Sequence, residues 1–267
     1  MNAFDVLRNG LTCPQILATN LDSFTGGRSA HRLEEGRKPA TAKNELSVLK
    51  RAFNLAQKVG KASRPEFPTI RLNNVRTGFF EREDFDKVLS RLSDDLKAPM
   101  EFAYLTGWRM GEVIDLQWKQ VEFKAGVIRL EPGSTKNRDG RTLPFGVLTA
   151  LVDLLKNQQN HTSRVQAAKG QVIPLVFHRD GKPIPDMREA WKSACAKARV
   201  SGMLRHDLRR TAVRNLERAG VPRSVAMKIT GHRTESIYSR YAISNTNDQR
   251  EGLKKLAALL AADRKQG

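Results

Sequence analysis

Four short stretches of this 267-residue chain combine side chains able to hold an anion and move a proton. His206 and Arg209 lie three apart in HDLRRTAVRNLERAG, which reads as a helix, so an imidazole and a guanidinium project from one face. Gly231-His232-Arg233 closes another helical stretch, and Tyr238 and Tyr241 follow six and nine residues after His232; the chain has only three tyrosines. Arg109 comes directly after a glycine-containing helix break in TGWRMGE, with Glu112 three residues on, and Lys136 sits in the polar loop GSTKNRDG. Two planar guanidiniums present fixed donor forks to the charge that builds on the equatorial oxygens of a reacting phosphodiester. A phenol with its ordinary pKa of about 10 is a poor nucleophile at neutral pH, and it needs a positive field and a neighbouring base such as an imidazole. Each motif also has a plainer reading. A lone H-x-x-R is more often a surface polar pair of a basic helix, and either tyrosine could be a packing aromatic. Tyr238 and Tyr241 are three apart on one predicted short helix, so spacing along the chain places both on the same side.

The charge balance narrows the partner. With 47 Lys+Arg against 28 Asp+Glu the net charge is +19, and no basic low-complexity tail carries it, so a folded surface facing a polyanion is expected. Nucleic acid is the first candidate and an anionic membrane surface the second. No window approaches 18 consecutive apolar residues, and the first residues lack the apolar run of a secretory signal, which points to a soluble cytoplasmic protein without a membrane partner. Cys13 and Cys195 are far apart and form no C-x-x-C, so they read as packing residues in a reducing compartment.

These residues need elements to position them. A Pro-interrupted polar segment at 61–77 reads as a linker between residues 1–76, carrying a charge of +7, and residues 77–267, carrying +12. Both parts are basic, so both are expected to touch the same polyanion. In the first, a weak helical signal at 12–35 is broken by Gly26-Gly27; the clear helix runs over 41–58, with Leu46, Leu49, Phe53 and Ala56 on one face and Lys43, Lys50, Arg51 and Lys58 elsewhere. In the second, Phe85, Val88, Leu89 and Leu92 mark a helix with Glu83 and Asp84 in its first turn, followed by helices at 98–106 and 110–118. The period then changes to short strands at 121–123, 126–130 and 141–145, the last two joined by a loop containing Asp139-Gly140, a hairpin signal. Helices at 146–156, 186–199, 206–219, 222–229, 235–242 and 248–264 complete a mainly α protein with a small β-sheet, with Gly220 and Gly231 at helix C-caps.

Taken in order, the motifs resemble those of the tyrosine recombinase (phage integrase) family. TGWRMGEVIDLQW is similar to its first-arginine motif, STKNRDGRTLPF to its β-hairpin lysine, HDLRRTAVRNLERAG to its H-x-x-R helix and ITGHRTESIYSRY to its closing motif. The resemblance implies a two-domain, C-shaped clamp on duplex DNA, in which residues 1–76 bind the core site and residues 77–267 are catalytic. It implies that Arg109 and Arg209 clamp the scissile phosphate and that Tyr241 is the nucleophile, because the nine-residue step from His232 matches the family. It further implies that Lys136 is the general acid for the leaving 5′-oxygen, His206 an acid/base partner of the tyrosine, His232 a hydrogen-bond donor to the phosphate and Glu112 an organiser behind them. Lys43, Lys50, Arg51, Lys58 and Arg210 are expected on DNA. The family assembles as a tetramer on paired sites, with accessory DNA-bending proteins possible, and a helix at 248–264 bearing Leu253, Leu256, Leu259 and Leu260 is expected to act between subunits. The first part is short for the family, so a truncated or minimal member is expected.

With two arginines supplying charge and no convergent Asp/Glu/His set at ligand spacing, neither a metal nor another cofactor is expected, and a metal-dependent nuclease is the least supported alternative. A non-catalytic DNA-binding relative and a type IB topoisomerase-like enzyme are the other readings. The retained Tyr241 and Lys136 speak against the first, and the motif context against the second.

Overall fold

The computed structural model describes residues 31, 34–61, 63–71, 78–131, 140–200, 202–242 and 246–263, the side chains of 246–248 and 258–263 excepted. The weak helix at 12–35 thus falls largely outside the described residues, as do Cys13, most of the loop bearing Lys136, and part of the 61–77 segment. The chain divides into two units, Met1–Val75 and Arg76–Gly267.

In the first unit, helix α1 (Pro39–Lys58) opens with proline at its first turn, where the missing N–H removes no hydrogen bond. Ala42 and Leu46 are buried and Leu49, Phe53 and Ala56 half-buried along the expected face. The Phe53 ring meets Phe67 edge-on at 5.9 Å. Lys43, Lys50, Arg51 and Lys58 are exposed.

The second unit is mainly helical, with a three-stranded antiparallel sheet in the order β1 (Val121–Glu122), β2 (Val127–Leu130), β3 (Arg141–Pro144). Ile128 pairs with Leu143 and Leu130 with Arg141, so Ile128, Leu130 and Leu143 face the core while Arg129 and Thr142 face solvent. Before the sheet come α2 (Arg82–Leu89), α3 (Asp94–Thr106) and α4 (Met110–Ile114), and after it α5 (Thr149–Lys169), α6 (Arg188–Lys197), α7 (His206–Arg218), α8 (Arg223–Thr230), α9 (Glu235–Tyr238) and α10 (Thr246–Asp263). Phe85, Val88, Met100, Phe102, Leu155 and Phe177 are wholly buried in one core, each contributing about 1.5–3 kcal/mol by leaving water. Helix α7 packs on both α3 and α8.

Several boundaries differ from the sequence reading, among them that of α3, which opens four residues early at Asp94. Helix α5 begins three residues late and runs 13 residues past Lys156. The extension, NQQNHTSRVQAAK, has no apolar stripe, but Thr162 is buried and its hydroxyl lies 3.0 Å from Nε2 of buried His178. The helix expected over 110–118 stops at Ile114, and a single 3₁₀ turn, Trp118–Gln120, leads into the sheet. Finally, α9 ends at Tyr238 rather than continuing to 242, which places Tyr241 in the turn beyond it. In α10, Leu253 and Leu256 are exposed, whereas the Leu259 and Leu260 side chains lie outside the described ones.

Candidate active site

Three helix ends build the site. Helix α3 stops at Gly107 in the left-handed conformation (φ 66°), where a Cβ would come within 2.9 Å of the Ala212 Cβ. Glycine therefore lets the chain turn tightly against α7 and leaves its carbonyl facing that helix. Arg109 then caps α4: the Glu112 carboxylate reaches back to accept the Arg109 backbone N–H at 3.2 Å and its Nη1 at 3.1 Å. The i+3 spacing of Arg109 and Glu112 thus supplies the reciprocal half of a capping box, and the same carboxylate holds the Arg109 side chain. Helix α8 ends at Gly231 (φ 72°), delivering His232 beside α7.

Arg209 projects from α7 into this junction and is 2% exposed. Its Nη1 donates to the carbonyls of Gly107, at 2.5 Å, and Thr230, and its Nη2 donates to Gly231 at 3.4 Å. Arg109 Nη1 reaches the same Gly231 carbonyl at 3.5 Å, so one glycine oxygen links the two guanidiniums. Burial, then the charge of Arg109, lowers the Arg209 pKa to about 10, which leaves it a cation at neutral pH.

The tautomer of His232 follows from its partners. The Thr230 hydroxyl donates to the Ala226 carbonyl at 2.7 Å, so its oxygen is left to accept from Nδ1–H of His232 at 2.7 Å. Nε2 is then unprotonated and accepts from Arg209 Nε at 3.1 Å. Burial, then Arg209 and Arg109, pushes the His232 pKa down to about 3, so the ring is neutral across the physiological range. Both ring nitrogens are engaged within the protein, so the ring holds Arg209 in place and has no free N–H for the phosphate contact that the resemblance implies for His232.

His206, at the first turn of α7, lies with Nε2 2.7 Å from the Tyr241 hydroxyl. Desolvation, then the charges of Arg209 and Arg210, holds this imidazole below its ordinary pKa. A neutral ring with its proton on Nδ1 can accept a hydrogen bond from the phenol. The Tyr241 ring is surrounded by basic groups: His232 at 4.8 Å between ring centroids, and the Arg209 and Arg210 guanidiniums at 5.8 and 5.3 Å. Tyr238 also meets the His232 ring, edge-on at 5.3 Å, but its other surroundings differ. It is 0% exposed, packs with Val213 and Ala226, and is pushed to higher pKa by burial and by Glu217.

The structure thus brings together Arg109, Glu112, His206, Arg209, His232 and Tyr241. Lys136 lies outside the described residues. Arg210, expected on DNA, is turned inward, with Nη1 donating to the Arg240 carbonyl at 3.4 Å. Sequence reasoning missed two further residues. Thr230 reads as an unremarkable helix residue, yet its hydroxyl fixes the His232 tautomer. Arg141 reads as a strand residue, yet its Nη2 donates to Glu112 at 2.6 Å. Among the described residues, no three His, Cys, Asp or Glu side chains gather as a metal site, and no helix is long and apolar enough to cross a membrane.

Residues 79–248 match the phage integrase family, well over half of the chain. The chain belongs to this family. It is 27% identical over 230 residues to the integrase of Salmonella phage P22 and 25% identical over 235 residues to a shufflon-specific DNA recombinase of Escherichia coli. Each alignment takes in 82% of this chain but only 58% and 56% of the relative, so the chain spans less than two thirds of their length. Among solved structures, the Tn1549 transposon integrase in complex with a circular intermediate DNA shares the fold at TM-score 0.62 and 18% identity, covering 85% of this chain and 83% of that one.

Proposed function

We propose that this family member is a site-specific recombinase that cuts and rejoins duplex DNA through a covalent 3′-phosphotyrosine at Tyr241. The observation that carries the reading is the 2.7 Å contact between the Tyr241 hydroxyl and His206, with the Arg209 and Arg210 guanidiniums beside the tyrosine ring. His206 takes the phenol proton as the oxygen attacks phosphorus. Arg109 and Arg209 stabilise the charge on the non-bridging oxygens, and such fixed donors contribute about 10²–10³ in rate apiece. His232 orients Arg209, Glu112 orients Arg109, and Lys136 protonates the departing 5′-oxygen. The phosphotyrosine link conserves the energy of the broken strand, so no nucleotide cofactor or metal takes part.

Residues 1–76 serve as the core-site-binding domain and residues 77–267 as the catalytic domain, both acting on the same duplex. Lys43, Lys50, Arg51 and Lys58 contact the backbone phosphates. The active assembly is a tetramer on paired sites in the cytoplasm, with DNA-bending proteins as accessories. The P22 integrase, the shufflon recombinase and the DNA-bound transposon integrase support this reading by kinship.

The test is covalent capture. Nicked duplexes from a randomised pool, incubated with the protein in excess chelator, should yield a denaturant-resistant adduct that enriches one core sequence over successive rounds. No adduct from any pool would refute the reading.

A further inference from the structure

The geometry points to Arg141 as a positioning residue that keeps Arg109 and the Gly231 turn in place for phosphate binding, acting from behind the clamp without touching DNA. This rests on the reading of the site as a phosphate clamp.

Arg141 opens strand β3, and its guanidinium is held on one face and at one edge. One face lies over the Trp108 ring at 4.2 Å. Against it stands Gly231, where a Cβ would fall 1.5 Å from Arg141 Nη1, so only glycine leaves room for the guanidinium. Trp108 is itself fixed, its indole N–H donating to the Ile229 carbonyl at 3.0 Å. The side chain is 13% exposed. Nη2 is committed to Glu112, and buried Nε has no partner among the described residues. Its contacts to Trp108, Glu112 and Gly231 all fix it within the protein's own packing.

The Glu112 carboxylate carries the coupling. One oxygen accepts Arg109 Nη1, and the other accepts Arg141 Nη2 together with the Arg109 backbone N–H. A carboxylate paired with Arg109 alone would draw that guanidinium inward and cancel its charge. Shared between two guanidiniums, the same carboxylate leaves a net positive charge and a fixed geometry for an anion. Contact with Gly231 adds a second route, since that carbonyl accepts from both Arg109 and Arg209. Arg141 thereby ties the start of β3 to the end of α8.

The experiment uses the core duplex enriched by wild-type covalent capture, in two forms. One carries the natural scissile phosphodiester, and the other a methylphosphonate that removes the non-bridging charge. Single-turnover adduct formation and equilibrium binding are measured for wild type, Arg141→Gln and Arg141→Lys. Arg141→Gln should cleave the natural duplex about 100-fold more slowly at unchanged affinity, the scale of a displaced catalytic group. Arg141→Lys, which keeps charge but loses the fork and the stacked plane, should lie between. On the methylphosphonate the deficit should shrink to about 3-fold or less, because the clamp then has less charge to answer. A deficit equally large on both substrates means a general structural role, and wild-type rates in both variants mean no role; either overturns the inference. Should Arg141→Gln not fold, as judged by thermal melting, the substrate dependence of Arg141→Lys decides. A wild-type protein that forms no adduct refutes the functional reading itself.

Discussion

The cations of α1, mostly lysines, and the arginines around Gly231 carry the same charge in opposite physical states. Lys43, Lys50, Arg51 and Lys58 stand in water on a helix whose other face is packed. Arg109, Arg141 and Arg209 are held by a shared carboxylate and by backbone carbonyls at helix ends. The first group offers screened, interchangeable charge suited to affinity. The second offers directed donors at fixed positions, and such donors matter when charge moves during a reaction.

The sharpest way to break this contrast is Arg209→Lys. It keeps the charge but cannot span the Gly107, Thr230 and His232 acceptors, so cleavage should fall by about 10²–10³. DNA affinity should change little, and single-turnover capture beside a binding titration checks both. An equal loss in affinity would put Arg209 in the same class as the α1 lysines.

Gly231→Ala should be next in size. Its φ of 72° disfavours any side chain by about 1–3 kcal/mol, and the new Cβ would displace Arg141, so melting and cleavage should both suffer. Gly60→Ala, at φ 68° after α1 with nothing within 4 Å, should cost only the backbone part. Equal melting losses in the two variants would remove the Arg141 contact from the account.

His232 gives a pH signature. Its folded pKa of about 3 lies below the ordinary 6.5, so below pH 6.5 the unfolded chain binds a proton that the folded chain refuses. Its contribution to stability is complete above pH 6.5 and is lost as pH falls toward 3. His232→Gln should flatten stability across that window by up to about 1.4 kcal/mol per pH unit, read from denaturant midpoints. An unchanged slope would show that the ring takes up its proton without loss.

Smallest are the α1 cations. Lys50→Ala and Arg51→Ala should each weaken DNA binding about equally on all sequences and reduce the salt slope by about one per phosphate contact. Cleavage of bound DNA should be unaffected.

Much of this contrast was legible in the residues. The i+3 spacing of Arg109 with Glu112 and the one-face pairing of His206 with Arg209 are local patterns, and local patterns survive folding. The 13-residue extension of α5 was hidden because a buried Thr162–His178 contact anchors it without an apolar stripe. Tyr238 and Tyr241 looked equivalent while one helix was assumed to carry both. The chain leaves the helix after Tyr238, burying that ring and freeing the other. Arg141 was illegible because its partners come from two stretches distant from it, Trp108 and Glu112 from one and Gly231 from the other, and only the fold brings them to one guanidinium.

The central claim is that the phenol beside His206 bonds to DNA, and trypsin can test it directly. Cutting after Arg233, Arg240 and Arg250 separates the peptide TESIYSR, holding Tyr238, from YAISNTNDQR, holding Tyr241. Wild-type adduct on a nicked core duplex, trimmed by nuclease and sequenced by fragmentation mass spectrometry, should carry its phosphate on Tyr241. The same adduct should form with Tyr238→Phe and be absent with Tyr241→Phe. A phosphate on Tyr238, or an adduct that persists in Tyr241→Phe, would contradict the account.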